Sequence, residues 1–131
     1  PWFEPHAKKF VDVRDVQLDL VKALGKSHGF NQVPLLKSLI EGERNTLIVR
    51  GMQSLSKINS VEAIELIGSY LLTHESRYVR RNAAEYLGET GRIAALSYLQ
   101  KVGDDISFGV KDSARRSIEK IKESTNLDER D

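Results

Sequence analysis

Three histidines, His6, His28 and His74, and a scatter of carboxylates are the side chains of this 131-residue chain that could do acid–base or metal chemistry. A helical zinc motif needs a second His four residues after the first, with a Glu beside it. His74-Glu75 has the Glu, but residue 78 is Tyr78, and His6 and His28 have no partner at a helical metal-ligand spacing. All three histidines read as exposed or capping residues near helix ends. Glu62 and Glu65 share one helix face and Glu41 and Glu43 flank a turn. Paired carboxylates act as acid and base only when burial or a neighbour separates their pKa values, so a solvated face is the reading here. Serines are frequent, yet there is no Gly-x-Ser-x-Gly elbow, no phosphate-binding Walker loop and no Gly-x-Gly-x-x-Gly. The chain shows no catalytic signature, and nothing in it implies a cofactor or a metal.

The elements that would position these groups emerge from self-similarity. Val16-Gln-Leu-Asp-Leu-Val-Lys-Ala-Leu24, Leu47-Ile-Val-Arg-Gly-Met-Gln-Ser-Leu55, Val79-Arg-Arg-Asn-Ala-Ala-Glu-Tyr-Leu87 and Val110-Lys-Asp-Ser-Ala-Arg-Arg-Ser-Ile118 superpose when slid by about 31 residues. A period of this size marks stacked supersecondary units, none of which can bury its apolar face alone. Val79, Ala83, Leu87 and Thr90 lie on one face of a 3.6-residue helix, and Val16, Leu20, Leu24 and Ser27, then Leu47, Gly51, Leu55 and Ile58, then Val110, Ala114, Ile118 and Ile121 occupy the same columns. Gly51, Ala83 and Ala114 make one column small, as close helix-to-helix approach requires.

A second helix follows in the first three units. Phe30, Val33, Leu36 and Leu39 align with Val61, Ile64, Ile67 and Tyr70 and with Ile93, Leu96, Leu99 and Val102. Asn31 precedes a helix with Pro34 in its first turn, and Asn59 with Glu62 has the spacing of a capping box. Gly25, Gly29, Gly42, Gly88, Gly91 and Gly103 are expected at helix ends. Residues 73–76 and 104–109 read as connections between repeats. The last helix is polar enough, with Lys111, Arg115, Arg116, Glu119 and Lys122, to cap a solenoid.

Bulk properties set limits on function. Twenty basic residues against 19 acidic ones give a net charge of +1, which argues against nucleic acid or an anionic membrane as the main partner. The absence of cysteine removes disulfides, thiolate catalysis and cysteine metal sites, and is compatible with a reducing, cytoplasmic setting. No apolar run reaches the ~20 residues of a membrane span, so no membrane role is expected. A first residue that is Pro suggests a processed chain or a fragment of a longer one.

The phrase Tyr78-Val-Arg-Arg-Asn-Ala-Ala-Glu-Tyr-Leu-Gly88, a short turn and Ile93-Ala-Ala-Leu-Ser-Tyr-Leu99 resemble the HEAT-like repeats described in phycobilin lyases. In that family Val-Arg is followed by an Ala pair, Leu-Gly, a short turn and an apolar second helix. The third unit matches best; the fourth keeps Val-Lys and one Ala, the second has Gly51-Met52 in place of the alanines, and the first has drifted furthest. The resemblance covers residues 12 to 124 and implies an inter-repeat ladder in which Arg80, with Lys111 in the same column, reaches an acidic residue of the neighbouring repeat. It implies no single function, because such repeats occur in bilin lyase subunits, scaffolds, DNA glycosylases and the helical regions of larger enzymes.

The expected fold is an all-α, right-handed α–α superhelix, a HEAT-like solenoid of about three and a half helix pairs. It forms one domain with units at 12–41, 45–72, 76–102 and 107–124, a lead-in at 1–11 and a polar tail at 125–131. The expected function is a non-catalytic protein-interaction or scaffolding module, whose partner is another protein or another domain of a longer chain, such as the catalytic part of an aminopeptidase. A bilin lyase or isomerase subunit and a nucleic-acid-binding repeat are the alternatives. Candidate contact residues are Gln32, Glu65, Ser97 and Lys101 on the second helices, outward-pointing Tyr86 where other units have Ala23, Ser54 and Ser117, and Trp2 and Phe3 ahead of the first repeat. Arg81, Arg115 and Arg116 form a candidate basic strip, interrupted by Glu85, Asp112 and Glu119.

Overall fold

A computed structural model describes residues 13–26 and 32–125. The apolar columns fold into α1 (Val13–Lys26), α2 (Val33–Ile40), α3 (Asn45–Ile58), α4 (Val61–Thr73), α5 (Arg77–Thr90), α6 (Leu96–Gln100) and α7 (Phe108–Thr125). Short 3-10 turns, Ile93–Ala95 and Lys101–Asp104, lead into and out of α6. The first helices α1, α3, α5 and α7 stack on one another in order, and α2, α4 and α6 form a second layer against them. The result is an all-α solenoid with no strand among the described residues.

The starts of α4, α5 and α7 are set by serine. The Ser60 hydroxyl accepts from the Ala63 N–H at 3.1 Å, Ser76 from Val79 at 3.5 Å and Ser107 from Val110 at 3.4 Å. The expected Asn59–Glu62 capping box does not form. Asn59 instead closes α3 in the left-handed region (φ 54°, ψ 40°), and Ser60 opens α4. Pro34 does lie in the first turn of α2, and Gly91, at φ 66°, ends α5 where a left-handed residue is needed.

The columns of the second, third and fourth units form the core: Leu47, Leu55, Val79, Ala83, Leu87, Val110, Ala114 and Ile121 are buried, with Leu36, Ile64, Ile67 and Leu99 from the second layer. The first unit departs from its column. Val16 and Leu20 are exposed while Val21 is fully buried. In the leading column of the second helices Val61 is 53 % and Ile93 65 % exposed, and Phe30 lies outside the described residues. Val61 and Ile93 sit where the turn enters the helix, before the chain has come round to face the core. The third unit's second helix is not continuous α-helix but 3-10, α and 3-10 in succession.

The first helices meet through a repeated seam. The Ser54 hydroxyl donates to the Val21 carbonyl at 2.7 Å, and the Ser117 hydroxyl donates to the Ala84 carbonyl at 2.7 Å. A Cβ on Gly25 would lie 2.7 Å from the Ser54 Cβ, and one on Gly88 would lie 2.6 Å from the Ser117 Cβ. Gly25 and Gly88, expected as turn glycines, are therefore the holes into which serines of the next repeat fit. Gly51 serves a different approach, since a Cβ there would lie 2.6 Å from Ile40 Cγ2 on α2, the second helix of the preceding repeat. Between α3 and α5 the seam changes: Tyr86 stands in the serine position and Ser56 in the glycine position.

Candidate interaction surface

Polar side chains are consumed first in holding repeat to repeat. Arg80 extends its guanidinium from α5 to Asp105, with Nε to Oδ2 at 2.8 Å and an Nη2–H donated to Oδ1 at 3.2 Å. Its other nitrogen donates to the carbonyls of His74 and Glu75, both at 2.9 Å. One arginine thus joins the connection before the third repeat to the connection after it. Burial opposes the Asp105 charge, but the Arg80 hydrogen bonds, the Ser107 N–H at 2.8 Å and the charges of Arg80 and Lys111 outweigh it and hold the carboxyl below its ordinary range. Lys111 is exposed and acts on Asp105 through charge at a distance.

A second bracket had no signal in the sequence beyond one Asn in a turn. The Asn59 amide donates to the Thr90 carbonyl at 3.0 Å, and Arg92 donates to the Asn59 side-chain oxygen at 3.2 Å and to its carbonyl at 2.8 Å. It ties the helix turns of the second and third repeats together. His74 proves to be structural: its Nδ1 accepts from the Ser76 N–H at 3.0 Å and its ring tilts against Tyr70, centroids 6.0 Å apart. A groove of about 590 Å³ opens beside it, with Glu41, Glu43 and Glu75 at its edge. Burial, then the nearby Glu41, raises the Tyr70 phenol. Among the described residues no three His, Asp or Glu converge on a point that could hold a metal ion.

The candidate contact residues separate into three groups. Trp2 and Phe3 lie outside the described residues. Gln32 is not on an exposed face: it is the N-cap of α2 and only 6 % exposed. Tyr86, expected to point outward, is half-buried and packs against the core. Burial, then the carboxylates Glu89 and Glu85, raise its phenol against the lowering influence of Arg50. Glu65, Ser97 and Lys101 are exposed, as expected. The Lys101 ammonium sits 5.9 Å from the centroid of the Tyr98 ring, which lies across α4 at Gly68.

The basic strip is largely neutralised. Arg115 pairs with Asp112 at 2.9 Å and Glu119 at 3.2 Å, and Arg116 pairs with Asp112 at 3.1 Å. The Arg115 hydrogen bond, with the charges of both arginines, keeps the Asp112 carboxyl below its ordinary range. Arg81 stands apart from these pairs, beside Gly109 and the Ile106–Phe108 loop.

Comparison with known proteins agrees with this architecture. The family model for HEAT repeats matches residues 33–119, well over half of the chain. No curated protein matches. Among solved structures, human deoxyhypusine hydroxylase in complex with glycerol is similar at 22 % identity, with a TM-score of 0.69 over 79 % of this chain. The chain spans 36 % of that protein, so the likeness is one of fold. With a matching repeat model, a repeated helix pair and a seam that recurs with the period, the chain belongs to the HEAT-repeat family.

Proposed function

We propose that the chain is a protein-interaction module, a small scaffold whose second-helix layer forms the contact face. The observation that carries this reading is a division of labour. Every buried polar side-chain atom among the described residues has a hydrogen-bond partner, while Leu35, Val61, Leu72 and Ile93 stay exposed on or beside the second helices. A rigid frame with its interior polar groups satisfied and apolar side chains left in water is suited to burying them against another protein. Exposed Glu65, Ser97 and Lys101 would supply the polar rim. We place its work in the cytoplasm, a reducing compartment with which a cysteine-free composition is compatible.

The test is quantitative affinity capture with the wild-type chain and the variant Glu65→Arg, Ser97→Arg, Lys101→Glu. Loss of at least one specific partner is expected. Recovery of an unchanged set of partners would remove this face from the proposal.

A further inference from the structure

The two most exposed large apolar side chains of the described residues are side by side in one connection, Ile106 at 96 % and Phe108 at 78 %. At the equivalent points of the repeat, Ile106 aligns with Glu43 and Glu75, and Phe108 with Asn45 and Arg77. Only the last connection replaces polar residues with bulky apolar ones. This loop is held firmly: Asp105 is gripped by Arg80 and accepts from the Ser107 N–H, and Ser107 caps α7. Ile106 and Phe108 are therefore presented outward by a fixed backbone, so little ordering entropy opposes their burial against a partner.

Together with Tyr78 they border a groove of about 490 Å³ whose charged lining residues are Arg77 and Arg81, one turn apart on α5. Neither guanidinium has a carboxylate within ion-pair distance among the described residues, unlike Arg80, Arg115 and Arg116. No acidic residue lines the groove. We propose that this edge docks a peptide segment of a partner protein in which carboxylates alternate with apolar side chains, the apolar groups on Ile106 and Phe108 and the carboxylates on Arg77 and Arg81.

Charge selects this occupant over others. A second copy docked two-fold on the same edge would bring four unpaired arginines together, which is unfavourable. Nucleic acid would need a longer cationic track, and the arginines of α7 are already paired with Asp112 and Glu119. The inference rests on the reading of the chain as a protein-binding module, but the edge is separate from the second-helix layer and can fail independently of it.

The experiment is selection of random dodecapeptides displayed on phage against the immobilised chain, with Arg77→Glu, Arg81→Glu protein in solution as competitor. Enriched peptides should place Asp or Glu within a few residues of Leu, Ile, Phe or Met. Their synthetic forms should bind about tenfold or more weakly both to Arg77→Glu, Arg81→Glu and to Ile106→Ser, Phe108→Ser. Peptides with each acid changed to Lys should bind the charge-reversed protein instead. All four positions are exposed, and an unchanged melting curve shows that each variant is folded. No enrichment, enrichment of neutral or basic peptides, or affinity indifferent to both variant pairs would overturn the proposal. So would tighter binding of a single-stranded oligonucleotide, or self-association abolished by the apolar pair of substitutions. Binding lost in the Glu65, Ser97, Lys101 variant instead would move the peptides to the second-helix layer and overturn this edge while sparing the broader reading.

Discussion

Ser117 sits directly over Gly88, its hydroxyl donating to the Ala84 carbonyl one turn earlier at 2.7 Å. Ser54 over Gly25, donating to Val21, repeats the arrangement 63 residues upstream. The seam joins helices of successive repeats by a buried hydrogen bond that only a missing Cβ permits.

Gly88→Ala should therefore destabilise, although alanine is the better helix former by ~1 kcal/mol. The new methyl would fall 2.6 Å from the Ser117 Cβ, and overpacking of this kind costs about 1–3 kcal/mol in addition to cancelling the propensity gain. Gly103→Ala is the control, because no atom lies within 4 Å of a Cβ there. Urea midpoints should fall for the first and hold or rise for the second.

Tyr86 and Ser56 should be energetically coupled. Tyr86→Ser alone opens space between α3 and α5 and should cost about 2 kcal/mol. Adding Ser56→Gly recreates the residue pair of the other two seams, so the double variant should be more stable than the two single effects summed. A double-mutant cycle in denaturant measures the coupling; strict additivity would refute a shared seam.

Asp105 makes stability depend on acid. Its carboxyl titrates below the ordinary value in the folded chain, so its contribution is present above the unfolded value of ~3.9 and disappears as pH falls through the lower folded value. Asp105→Asn should cost about 2 kcal/mol at neutral pH, as a charge-assisted hydrogen-bond pair is lost. The gap between wild type and variant should narrow as pH falls below ~4. Denaturation at neutral and acidic pH checks the sign.

Asn59 has two separable roles. Asn59→Gly keeps the left-handed turn and the Arg92 bond to the backbone carbonyl but loses the side-chain bonds to Thr90 and Arg92, whereas Asn59→Ala loses those side-chain bonds and also strains the turn. Thermal melts should rank wild type, then Gly, then Ala, with the Ala variant down by about 1–3 kcal/mol.

How much of this was legible in advance follows from the range of each interaction. Helix faces are local: Val79, Ala83, Leu87 and Val110, Ala114, Ile121 lie at 3.6-residue spacing, and that alone assigns them to the core of a repeat. The family pattern implied a partner for Arg80 in the neighbouring repeat; its carboxylate is Asp105, in the connection after its own repeat, and the path of that connection decides it. Gly25 and Gly88 could not be separated from turn glycines, because their neighbours Ser54 and Ser117 come from 29 positions further along the chain. The contact face was the least legible part. Gln32 and Tyr86 are polar enough to be read as surface residues, yet one is buried at the N-cap of α2 and the other is half-buried against the core.

The period and its apolar columns, both properties of near neighbours along the chain, determined by themselves that this protein is a stack of paired helices. Tertiary structure alone decided which side chains remain free. Pairing removes Arg80, Arg115 and Arg116 from the available cations, while Arg77 and Arg81 line a groove without a carboxylate partner and a pinned loop turns Ile106 and Phe108 outward beside them. Whether a charge is spent or available depends on what lies within a few ångströms in space, and spacing along the chain does not carry that distance.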